Sequence, residues 1–106
     1  MSEQIKKGIL DAYVLAFIKR NDTYGYKIVQ NLSAFVEISE STLYPIIRRL
    51  EKQGCLTSYD LERNGRKRKY YHITKYGEET LIKINKEITR LKENLDILVS
   101  RSDRKW

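Results

Sequence analysis

The chain has 106 residues, enough for one small domain with a real core. Charged residues make up 33% and hydrophobic ones 41%, a balance that argues against disorder. Lys and Arg number 21 against 14 acidic residues, and a net charge of +7 on so small a chain favours phosphate-bearing partners or an anionic surface.

From Ile5 to Arg20 the apolar residues Ile5, Ile9, Leu10, Tyr13, Val14, Phe17 and Ile18 fall at helical spacings. Asn21-Asp22 breaks the pattern, and Thr23 is expected to cap a second helix through Leu32, with Ile28, Val29 and Leu32 as its apolar side. Phe35 to Ile38 links to a third helix, capped by Ser39 or Ser41 and running to Gln53, with Gly54 in the left-handed position after its end. Pro45 lies near its start, and its apolar face is Leu43, Ile46, Ile47 and Leu50. Leu56 to Arg63 and Arg66 to Ile73 flank Asn64-Gly65, the dipeptide that supplies two positive φ values to a tight hairpin. Thr74 is expected to cap a last helix. That helix carries Leu81, Ile84, Ile88, Leu91, Leu95 and Leu98 at alternating spacings of three and four, with Ile82, Ile97 and Val99 off the seam. The tail, Ser102 to Trp106, is expected to fray.

The order helix, helix, helix, hairpin, helix describes a mainly α protein with a small β-hairpin: a winged helix-turn-helix over residues 1–76, and a long dimerisation helix over 77–106 packing on the first helix. Charge follows this plan. Residues 1–45 are neutral, 46–76 carry +6 and 77–106 carry +1, so almost the whole excess lies on the third helix and the hairpin, as a binding face requires.

The third helix is expected to enter the major groove of double-stranded DNA. Ser41, Thr42 and Tyr44 can donate to phosphates or bases. Arg48 lies one turn beyond Tyr44 and has the planar fork that matches guanine O6 and N7; Arg49 adds charge beside it. Arg66, Lys67, Arg68 and Lys69 form the wing, which positions more than it reads. Strand alternation sends Arg66 and Arg68 to one side and Lys67 and Lys69 to the other, so about half of the four are expected to meet phosphate. Tyr26 and Lys27 start the second helix, where backbone N–H groups can hold a phosphate, while Tyr24 is expected to pack inward. Tyr59, Tyr70 and Tyr71 are expected to pack the hairpin on the body. The seam of Leu81, Ile84, Ile88, Leu91, Leu95 and Leu98 outruns so small a body and is expected to find a second copy.

Other chemistries find little support. No catalytic triad, paired-carboxylate motif, phosphate loop or HExxH occurs, which argues against an enzyme and against cofactors. The one cysteine, Cys55, is expected as a buried thiol, and His72, the one histidine, has no companion for a metal site. The longest apolar run, Ala12 to Ile18, is seven residues against the roughly 20 of a membrane span. MSEQIKKG lacks the layout of a signal peptide, so a cytoplasmic protein without membrane association is expected. A winged helix can also serve RNA or protein partners, which is the alternative reading.

The chain also resembles a family. KGILDAYVLAFI (Lys7 to Ile18), TYGYKIVQNL (Thr23 to Leu32), ISESTLYPIIRRLEKQGCL (Ile38 to Leu56) and GRKRKYYHITKYGEETL (Gly65 to Leu81) look like the PadR family of bacterial transcriptional regulators. TLYP at Thr42 to Pro45, YGY at Tyr24 to Tyr26 and the run from Arg68 to Gly77 carry the resemblance together. The short C-terminal part looks like the smaller subgroup, with one long last helix for dimerisation. The resemblance implies a homodimeric repressor whose DNA affinity responds to a small-molecule effector. Subgroup members that bind flat aromatic compounds between subunits use aromatics on the last helix; here none stands between Tyr76 and Trp106.

Overall fold

The structure is a computed structural model that describes residues 3–102, with side chains from Lys7 onward. Helices α1 (Glu3–Arg20), α2 (Gly25–Leu32), α3 (Glu40–Lys52) and α4 (Lys75–Ser102) surround a sheet of β1 (Thr23–Tyr24), β2 (Leu56–Arg63) and β3 (Arg66–Ile73). The sheet is antiparallel in the order β1-β3-β2. The fold is therefore a winged helix-turn-helix with a long C-terminal helix. The frayed tail expected from Ser102 lies outside the described residues, except for Ser102 itself, which closes α4.

The core follows the helical periods. Val14, Leu15 and Ile18 of α1 meet Ile28 and Leu32 of α2, Leu43, Ile47 and Leu50 of α3, and Leu56, Tyr71 and Ile73 of the hairpin. Ser39 caps α3, its hydroxyl accepting from the Thr42 amide, and Gly54 leaves the helix at φ +87°. Gly54 is the αL residue that frees the chain to turn into β2. Thr74 caps α4: the Gly77 amide donates to Thr74 Oγ1 at 3.0 Å, while that hydroxyl donates to the Gly54 carbonyl at 2.6 Å.

One expectation fails at α2. Thr23 does not cap it. Thr23 and Tyr24 are extended and pair with Tyr71 and Tyr70 of β3, so the helix starts at Gly25 with no side-chain cap. The free edge of β3 offers two backbone partners there, and satisfying the sheet edge outweighs one capping bond. Gly25 has a separate reason to be glycine. A Cβ on it would stand 2.5 Å from Cε1 of Tyr44, so α2 starts hard against the ring that α3 presents.

Helix α4 is 28 residues, about 42 Å at 1.5 Å per residue. It gives the molecule its long axis, 63 Å against 27 and 21 Å. Its first half packs on α1, and near its far end Leu95, Ile97, Leu98 and Val99 are exposed. No helix among the described residues is long and apolar enough to cross a membrane.

Candidate nucleic-acid interface

At 100° per residue, burying Leu43, Ile47 and Leu50 sends Ser41, Pro45, Arg48 and Lys52 to the opposite side of α3. All four are exposed. The stripe is polar and cationic, and it starts at a helix N-terminus. Ser41 and Thr42 sit at that end within the cap, with Ser39 Oγ 2.9 Å from Ser41 Oγ and 3.2 Å from Thr42 Oγ1. Lys52 extends the stripe by one turn. Sequence reading passed over it, although its i+4 spacing from Arg48 was the available signal.

The flanks of α3 serve the fold. Tyr44 is half-buried, with its ring against Gly25 and packed on the core. Arg49 turns inward instead of joining the exposed stripe. Its Nη2 donates to Asp11 Oδ1 of α1 at 2.5 Å, and Asp11 is buried. That pair ties α3 to α1 and leaves Arg48 as the outward-facing member of the Arg48-Arg49 doublet. On the sheet side Glu51 accepts from Ser58 Oγ at 2.6 Å and lies 3.7 Å from Lys69 Nζ, so the hairpin is held beside α3.

The hairpin has the expected boundaries. Asn64 (φ 53°) and Gly65 (φ 76°) form its turn, and both need the left-handed region. Register then fixes the faces. Arg63 pairs with Arg66, Leu61 with Arg68, and Tyr59 with Tyr70 on one side; Glu62 pairs with Lys67 and Asp60 with Lys69 on the other. The expected split of the four cations is therefore present. Lys67 Nζ reaches Asp60 at 3.7 Å. Arg68 lies over the Tyr24 ring, 4.3 Å from its centroid. Arg63 is a cation that sequence reading did not single out. Counting outward from Asn64-Gly65 would have placed it opposite Arg66.

Tyr70 and Tyr71 are buried as expected, while Tyr59 is exposed and stacks on Tyr70. Burial is the main cause that pushes the Tyr71 hydroxyl up, with Glu51 and Tyr44 adding to it and Arg48 opposing. Tyr59 donates to Asp22 Oδ2 at 2.7 Å, and His72 Nδ1 lies 2.8 Å from Asp22 Oδ1. Partial burial works to raise the Asp22 carboxyl, but the bonds from Tyr59 and His72 and the His72 charge outweigh it and hold the carboxyl below its ordinary value. Tyr26 and Lys27 are exposed on α2. Cys55 is a buried thiol that donates to Thr80 Oγ1. No His, Cys, Asp and Glu group suited to a metal occurs among the described residues.

Along α4 the seam changes character. Leu81 is 5% exposed, Ile84, Ile88 and Leu91 are half-buried, and Leu95 and Leu98 are 47% and 52% exposed. Ile97 and Val99 are exposed beside them.

An exposed polar and cationic stripe on α3, a hairpin beside it and a protruding amphipathic helix complete the winged-helix form of the chain. The model of the transcriptional regulator PadR-like family matches residues 14–83, and the chain belongs to that family. The chain is similar to smu.1704 from Streptococcus mutans UA159, at 40% identity and a TM-score of 0.86 over 94% of each chain. It is also similar to a PadR-like transcriptional regulator from Bacillus cereus, at 30% identity and a TM-score of 0.82 over 92% of this chain and 97% of that one. The transcriptional regulator Rv3488 of Mycobacterium tuberculosis is 28% identical over 89 residues, 83% of each chain.

Proposed function

We propose that this regulator binds duplex DNA sequence-specifically as a homodimer and represses by occupying its operator. Residues 1–76 bind DNA in this reading, and residues 77–106 pair two copies. The observation that carries it is the exposed stripe of Ser41, Arg48 and Lys52 lying next to a cationic hairpin, with Arg48, Lys52 and the hairpin all inside residues 46–76, which carry +6 of the net +7. A helix of this shape fits the major groove with its N-terminal residues toward base edges. Arg48 is the base-reading residue, and Thr42 and the hairpin supply backbone contacts. The far end of α4 supports pairing, because exposed Leu95, Leu98 and Val99 share one face of the helix, an apolar surface that a second copy would cover.

Selection of bound duplexes from a random pool tests the reading. A two-fold dimer should return a pseudo-palindrome with half-site centres about 10 or 20 base pairs apart. Arg48→Ala should cost about 1–3 kcal/mol on that operator and relax preference at one symmetric pair of positions. Arg48→Lys should restore non-specific binding more than discrimination, because it recovers charge without the fork. A pool that enriches no duplex, or RNA bound as tightly as DNA, would overturn the reading in favour of an RNA or protein partner.

A further inference from the structure

The two faces of the hairpin differ in what their cations already hold. On the face toward α3, Lys67 is 3.7 Å from Asp60 and Lys69 is 3.7 Å from Glu51, with Glu62 directly across from Lys67. Two lysines there meet three carboxylates. On the other face Arg63 stands directly opposite Arg66, and Arg68 follows two residues on. Neither Arg63 nor Arg66 has a carboxylate partner among the described residues. The acid on that side of the sheet, Asp22, is taken by Tyr59 and His72. Like charges directly opposite on a sheet are destabilising. The arginine face therefore carries a repulsion that an anion would relieve.

The face is also shaped. Arg63, Arg66 and Arg68 line a concavity of about 260 Å³, with Asn64 at its rim and Tyr24 and Tyr70 in its wall. Tyr24 and Tyr70 meet edge to face at 5.3 Å, and Arg68 is held over Tyr24, so one guanidinium is preset while the other two stay exposed. Guanidinium forks match phosphate oxygens two at a time. We propose that this arginine face is the phosphate-binding face of the hairpin, where Arg63, Arg66 and Arg68 grip one backbone phosphate of a DNA duplex in each subunit. Lys69 holds the hairpin to α3, Lys67 pairs across the hairpin with Asp60, and both contribute little to binding. The assignment rests on the DNA-binding reading and adds to it Arg63 and a choice between the two faces.

Binding of the full chain to a random-sequence duplex, measured across a salt series, separates the faces. Arg63→Gln with Arg66→Gln should reduce the slope of log K against log salt by about 1 per subunit. Lys67→Gln with Lys69→Gln should change the slope by less than about 0.3 per subunit. Thermal melts give an independent readout. The arginine pair variant should melt no lower than wild type in phosphate-free buffer, since it removes the repulsion, and should lose most of the stabilisation that inorganic phosphate gives wild type. Arg63→Gln alone should show both effects in part, and serves if the double variant does not fold. A slope lost in the lysine variant and kept in the arginine variant overturns the face assignment while the DNA reading stands. No salt-dependent duplex binding by wild type overturns both.

Discussion

The two halves of α4 share one apolar pattern and have opposite surroundings. From Leu81 to Ile88 the seam lies on α1 and the core. Farther on, Leu95 and Leu98 continue the same spacing and face water. The difference is one of reach. Helix α1 ends the cover that a single chain can supply, and a helix of about 42 Å extends past it. A heptad repeat thus states that a surface will be covered without stating which copy covers it.

Substitutions in the two halves should consequently fail in different ways. The largest loss of stability belongs to the covered half: Leu81→Ala should cost about 3–5 kcal/mol in denaturant unfolding, through lost burial and the cavity left behind. Gly77→Ala at the root of the helix should follow at about 1–3 kcal/mol, because its Cβ would meet the Cys55 carbonyl oxygen and the backbone must move. An unchanged unfolding midpoint for either would mean that the first half of α4 is not anchored as described. In the free half, Leu95→Asp with Leu98→Asp should leave the far-ultraviolet circular dichroism of a folded helical chain, while the scattering mass falls to that of a monomer. A loss of fold in that variant would show that the distal half is needed within one chain. The smallest effect lies outside both halves. The Asp22 carboxyl is held below its ordinary value, so its contribution to stability is complete above the unfolded value near 3.9 and fades as pH falls through the lower folded one. Asp22→Asn should flatten that acid limb and cost at most about 1 kcal/mol at neutral pH, because the carboxylate is solvent-exposed. An acid limb as steep as wild type would place the titrating group elsewhere.

What could be read from the sequence was what local chemistry decides. Asn64-Gly65 fixes its own turn, and register then follows along both strands to Leu56 and Ile73. Ser39 and Thr74 cap helices through bonds within three residues. The misses depend on contacts distant in sequence. Strand β1 has two residues, too short for any period, and exists because β3, nearly 50 residues on, has a free edge. The inward turn of Arg49 depends on Asp11, 38 residues away, and the Arg48-Arg49 doublet looks like two equal cations until that partner is placed. The seam of α4 was legible throughout its length, but the boundary between its covered and bare halves was not, because that boundary is set by where α1 lies.

The mass of the complex with the selected operator tests the central claim most directly. Light scattering on a saturated mixture of protein and a single operator duplex should give the duplex plus two chains of 12.6 kDa each. The Leu95→Asp, Leu98→Asp variant should bind the same duplex far more weakly. One chain per duplex at full affinity, with the variant binding as well as wild type, would contradict a dimer that reads two half-sites.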